Sequence, residues 1–94
     1  MAMFEEENVR SKTLADAREL INGDRQAEYG PPRQNFDRVA SMWSAYLNYE
    51  VDGHDVAVCM ALLKIARINT SGVPKHDTYV DVSAYMALAN ELKD

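Results

Sequence analysis

Eight consecutive apolar residues, Val56 to Leu63, occupy the middle of this chain, and Ile65, Ala66 and Ile68 carry the run further. By length alone the run suits a buried strand. Alanine, leucine and methionine dominate it, however, and no turn residue interrupts Asp55 to Arg67, so the segment is predicted as helix. A helix that is apolar nearly all round belongs at the centre of its assembly. With 94 residues the chain amounts to one domain, with room for about three further helices. Three such neighbours hardly cover an all-round apolar helix. The expectation is therefore a homodimer or larger homo-oligomer in which this helix also buries surface against a second subunit. The plainer alternative is a self-sufficient four-helix bundle with a few exposed methionines.

The flanking sequence punctuates the chain into helices. Asp52-Gly53-His54-Asp55 is a start signal, with Asp52 as N-cap and Asp55 at the third helical position, and the pattern runs to about Asn69. Thr13 followed by Asp16 resembles a capping box, and Asn22-Gly23 is a stop, which predicts a short helix from Thr13 to Asn22. Gly23 to Pro32 mixes glycine, proline and charge and reads as a loop whose last proline begins a helix. From Arg33 to Asn48, Phe36, Val39, Ala40, Trp43, Tyr46 and Leu47 form a helical stripe. Asp37, Arg38, Ser41, Ser44 and Ala45 take the wetter face. Thr70 to Lys75 reads as a loop, and Asp77 or Thr78 opens a last helix to about Leu92. The predicted fold is all-α, a small bundle of three to four helices completed by oligomerisation. Residues 1–12, with Glu5 to Glu7, form a flexible acidic N-terminus, and residues 13–94 form the single helical domain.

Ten basic and fifteen acidic residues give a net charge of -5, which argues against affinity for duplex nucleic acid or an anionic membrane. A phosphate site has to be a local basic pocket. The single cysteine, Cys59, rules out an internal disulfide framework, and no run is long enough to span a membrane. Met1 to Arg10 is acidic where a secretory signal is basic, so the expected compartment is the cytoplasm.

Two groups of charged residues point toward chemistry. At about 100° per residue, Lys64 and Arg67 lie about 60° apart with Met60 between them. Both rise out of an apolar face. Asp77, Asp81 and Tyr85 share a stripe with Leu88 and Leu92. Charges thus point inward from two helices, and buried charges must be paired or neutralised. In one reading Lys64 and Arg67 meet Asp81 and Asp77 in an ion-pair network that sets helix register. In the other, Asp77 and Asp81 hold a divalent cation such as Mg²⁺ while Lys64 and Arg67 hold phosphate oxygens. The second group is Arg25, Tyr29, Arg33 and Asn35, which combine cationic forks, an aromatic face and an amide, a set suited to a phosphorylated nucleoside. The plain alternative has Tyr29 packing under the following helix and Arg25 solvated.

Other candidates have simpler explanations. Cys59, inside the longest apolar run, is expected in the core. His54 and His76 lack a second histidine at metal-ligand spacing, and there is no glycine-rich phosphate loop, nucleophile elbow or Cys-x-x-Cys pair. Asp52-x-x-Asp55 and Asp16-x-x-Glu19 are accounted for by capping and the helix dipole. Trp43 is expected in the core.

Taken together, Gly23-Asp24-Arg25, Tyr29-Gly30-Pro31, Asn35-Phe36, Trp43, Asp55-Val56-Ala57, Leu63-Lys64-Ile65-Ala66-Arg67 and Asp77-x-x-x-Asp81-x-x-x-Tyr85 resemble a small phage and prophage family catalogued as a domain of unknown function. The likeness covers about Leu14 to Leu92. The pattern also distantly resembles the all-α MazG and dimeric dUTPase nucleoside triphosphate pyrophosphohydrolases and the helical nucleotide-modification domains of phages. Those hydrolases hold Mg²⁺ with Glu-x-x-Glu on one helix and Glu-x-x-Asp on another. Asp81 matches the last aspartate, while Thr78 stands where that pattern has glutamate. The resemblance implies a phage-type accessory protein of nucleotide metabolism, in the host cytoplasm if phage-encoded. It would bind a nucleoside phosphate through Arg25, Tyr29, Arg33, Asn35, Lys64 and Arg67, with Asp77 and Asp81 on Mg²⁺ and pyrophosphohydrolysis as the reaction. The alternative is a non-catalytic phage or prophage protein that binds a host protein or sequesters a small nucleotide.

Overall fold

A computed structural model describes residues 8–23, 30–70, 72 and 75–94. Four helices follow one another: α1 (Val9–Asn22), α2 (Pro32–Leu47), α3 (Gly53–Ala66) and α4 (Lys75–Leu92). No strand occurs among the described residues, so the fold is all-α as predicted. Glu5 to Glu7 lie outside them. No described helix is long and apolar enough to cross a membrane.

The start of α3 follows the sequence. The Asp52 side chain accepts from the Asp55 N–H at 2.9 Å and the Asp55 side chain accepts from the Asp52 N–H at 3.0 Å, a reciprocal capping box. α2 begins at Pro32, where a missing N–H costs nothing, and closes on Asn48 in the left-handed region at φ 55°. α1 differs from expectation. Asn8 is its cap, accepting from the Ser11 N–H at 2.8 Å, and Thr13 is interior. Its hydroxyl donates back to the Val9 carbonyl at 2.8 Å, satisfying within the helix the group that a cap would have used. α4 likewise begins at Lys75, ahead of Asp77.

α3 and α4 pack as a pair, α1 lies on α4 and α2 lies on α3. The Lys64–Asp81 contact and the cluster of Ala57 with Ala89 and Leu92 make the α3–α4 pair antiparallel. Alanine dominates the core: Ala17, Ala40, Ala57, Ala61, Ala84 and Ala89 are buried with Val56, Val80, Leu88 and Leu92. Small side chains let backbones approach closely, and a Cβ on Gly53 would meet Phe36 Cβ at 3.3 Å and Asp37 Oδ1 at 2.9 Å. Ala17, Val80 and Ala84 join α1 to α4, with Leu20 and Ile21 packed on them. Ser44, assigned by periodicity to the wetter face of α2, is half-buried. Its hydroxyl accepts from the Val51 N–H at 2.9 Å and donates to the Val51 carbonyl at 3.1 Å, clasping the turn into α3.

Packing through alanine leaves large apolar side chains outside. Cys59 is exposed, not core, because α4 and α2 pack on the Val56, Ala57 and Ala61 side of α3. Leu62, Leu63 and Ile65 are also exposed. The apolar stripe of α2 outlasts its cover: Ala40 is buried and Trp43 half-buried, but Tyr46 and Leu47 project into water.

Candidate ligand groove

Between the four helices runs a groove with an apolar end and an acidic end. The apolar end is a cavity of about 170 Å³ lined by Ile21, Pro32, Asn35, Phe36, Val39, Val56, Met60, Tyr85 and Leu88. A cavity of about 150 Å³ holds a benzene ring, so this one is the size of a single aromatic ring. Every helix contributes to it. The aromatic stripe of α2 meets the tyrosine of α4 edge to face, Phe36 and Tyr85 having centroids 6.5 Å apart at 65°. Asn35 adds an amide, one donor and one acceptor group in a wall that is mostly apolar.

From Tyr85 and Leu88 the groove narrows past Leu20, Ile21 and Asp81 to about 10 Å³, no more than the room of one water. It then opens into a cleft lined by Asp16, Glu19, Leu20, Asp77, Val80 and Asp81. Asp81 stands at the junction and pairs with Lys64 at 3.2 Å, their side chains 28% and 22% exposed. Asp16 accepts from His76 Nε2 at 2.7 Å and lies 3.3 Å from Lys12 Nζ. The His76 hydrogen bond, then the one from Lys12, holds the Asp16 carboxyl below its ordinary value.

The inward charges expected from the sequence are half realised. Lys64 and Asp81 meet as anticipated. Arg67 is exposed, and among the described residues it has no ion pair with Asp77, because α3 ends at Ala66 and Arg67 already belongs to the turn. Arg33 points away from the groove toward Asp94, 3.4 Å off. Asn35 reaches the cavity. Arg25 and Tyr29 lie outside the described residues. Asp16 and Glu19 were set aside as helix-start carboxylates. With α1 beginning at Val9 they fall in its second and third turns, on the face turned to α4. No pattern within α1 signals this, since the partner carboxylates lie about sixty residues away.

Among the described residues, Asp52, His54 and Asp55 are the three side chains whose ligand atoms all fall within 4.8 Å of one another. Their carboxylates are spent on the capping box of α3.

The family model described as Domain of unknown function (DUF6378) matches residues 12–93. This chain belongs to the DUF6378 family. The DUF6378 segment resembles the Gene 55 protein of Mycobacterium phage L5, with 41% identity over 81 residues, 85% of this chain and 51% of that protein. It also resembles the Gene 55 protein of Mycobacterium phage D29, with 42% identity over 72 residues, 77% of this chain and 47% of that protein. The chain thus spans about half the length of the curated relatives it matches. The resemblance to a phage family of unknown function, drawn from the motifs, holds. No solved structure matches the DUF6378 chain.

Proposed function

We propose that the DUF6378 chain binds a nucleoside phosphate together with a divalent cation in the groove between its helices. The observation that carries this is adjacency: a ring-sized apolar cavity and a carboxylate-lined cleft meet across a constriction formed by Leu20, Ile21, Asp81 and Tyr85. The base occupies the apolar end, against Tyr85 and Phe36 and within reach of the Asn35 amide. The phosphates extend toward Asp81 and Lys64. Carboxylates repel phosphate, so the cleft accepts a nucleotide only with a cation between them. Asp77 and Asp81 remain the proposed ligands, joined by Glu19, while Asp16 stays with His76 and Lys12 at the edge of the cleft. The ligand oxygens suit a hard cation such as Mg²⁺ in kind, and such a cation would draw its remaining ligands from water and phosphate. Bound there, Mg²⁺ would neutralise and polarise the phosphate. Lys64 serves as the cation that exchanges its Asp81 partner for a phosphate oxygen. Pyrophosphohydrolysis is the reaction proposed for the site, by resemblance to the MazG-type enzymes.

Thermal unfolding with nucleoside triphosphates, with and without Mg²⁺, tests this reading. Saturating ligand at about 100 times its dissociation constant adds roughly 2.7 kcal/mol, or about 10 °C or more in Tm for a domain this small. The shift should require Mg²⁺ and disappear in Asp81→Asn. No shift with any nucleotide removes the proposal. A second reading, a non-catalytic protein that docks on a host protein, is favoured by the end of α2. There Tyr46 is 89% exposed beside Met42, Leu47 and Tyr49, all exposed. Tyr46→Ser should then abolish capture of that partner and leave the nucleotide shift unchanged.

A further inference from the structure

The α3–α4 pair is a layer with one covered face and one bare face. α1 and α2 close the side that holds the groove. The Lys64–Asp81 contact and the Ala57–Ala89 cluster set the register of the pair, which places Leu62 level with Val82 to Met86. On the side away from the groove, helical geometry brings Val58, Leu62 and Ile65 of α3 beside Tyr79, Val82 and Met86 of α4. Leu62 is 57% exposed, Tyr79 47%, Met86 46% and Ile65 45%, while Val58 and Val82 are half-buried.

We propose that this bare face joins two copies of the chain in an isologous dimer, with the two α3–α4 layers stacked into a four-helix core and the grooves on the outside. A chain of net charge -5 repels its own copy at long range, and a face without charge adds nothing to that repulsion when two copies meet through it. None of these six residues is charged, although lysine, aspartate and glutamate are frequent elsewhere. The area also fits. The four exposed side chains leave roughly 80–100 Å² each in water and the two half-buried valines less, so the patch offers about 450 Å² of apolar surface. A standard interface covers about 800 Å² per partner, somewhat more than half of it apolar. A two-fold arrangement lets the one patch serve both copies, and it closes, so association stops at two. The inner faces of α3 and α4 are already filled by alanine contacts, which explains why the larger side chains of the longest apolar run are turned outward.

The test is the mass of the purified chain by light scattering at roughly 100 μM, where a dimer with a micromolar dissociation constant is saturated. The expected mass is twice 10.6 kDa. Leu62→Glu, which places an unpaired charge at the centre of the face, should weaken association at least about 100-fold while circular dichroism stays helical. Tyr46→Glu, on α2 and away from the face, should remain dimeric. Should Leu62→Glu fail to fold, Tyr79→Glu carries the same test, because Tyr79 is 47% exposed and glutamate is a good helix former there. A helical monomer in the parent chain overturns the proposal and leaves the face to a different protein. A Leu62→Glu or Tyr79→Glu chain that dimerises like the parent overturns the choice of face. Neither result bears on nucleotide binding, which uses the opposite side of the layer.

Discussion

Asp52 and Asp16 both stand near helix starts in the sequence, yet they end in different jobs. Asp52 caps α3 reciprocally with Asp55. Replacing it with alanine should cost about 1 kcal/mol, read as a lower urea midpoint at unchanged slope. The backbone hydrogen bond to Asp52 holds the Asp55 carboxyl below its ordinary value, so this cap loosens in acid as well. Asp16 lies inside α1 and binds His76 of α4. Its carboxyl is held below the ordinary value of 3.8 by that hydrogen bond first and Lys12 second. A carboxyl whose folded value lies under its unfolded value stabilises the fold fully at pH above 3.8. The contribution drains away as pH falls through the folded value. His76→Ala should therefore lower stability at neutral pH and flatten the acid limb below about pH 4, measured as urea midpoints across the pH range. An unchanged acid limb would separate Asp16 from α4.

At the level of elements, the helices meet through alanine. Ala57 is fully buried in α3 against Ala89 and Leu92 of α4, a spacing that a larger side chain cannot enter without moving a backbone. Ala57→Leu should destabilise by about 1–3 kcal/mol through overpacking, visible as a lower Tm, although leucine has good helix propensity. Propensity and packing oppose each other here, and in a close helix pair packing wins. α1 and α2 are held differently, each by one buried residue, Ala17 in α1 and Ala40 in α2, with Leu20 and Ile21 of α1 half-buried. α3 and α4 each bury several. Amide hydrogen exchange should therefore be faster in α1 and α2 and slowest along α3 and α4. Mg²⁺ with a nucleotide should protect α1 and α2 together, because α1 lines the acidic cleft and α2 lines the apolar cavity with Asn35 and Phe36.

For the whole molecule, the all-α class, the four helices and the capping box of α3 were legible in the chain, since each depends on residues within one or two turns. The pairing of Lys64 with Asp81 was legible too, because a charge on an apolar face demands a partner and α4 offered one. Arg67 was misplaced by the same reasoning, which assumed that α3 continued past Ala66. Cys59 shows the limit more sharply. An apolar run says that a helix must be covered, but it does not say which side faces its own chain and which faces outward. Local patterning is a property of neighbours along the chain, and it determined where the helices lie and which positions are apolar. Only the tertiary arrangement decided that α1 brings Asp16 and Glu19 to Asp77 and Asp81, and that α3 turns Leu62 and Ile65 outward. Those outcomes depend on distances between residues far apart in sequence, set by how closely alanine allows two helices to approach.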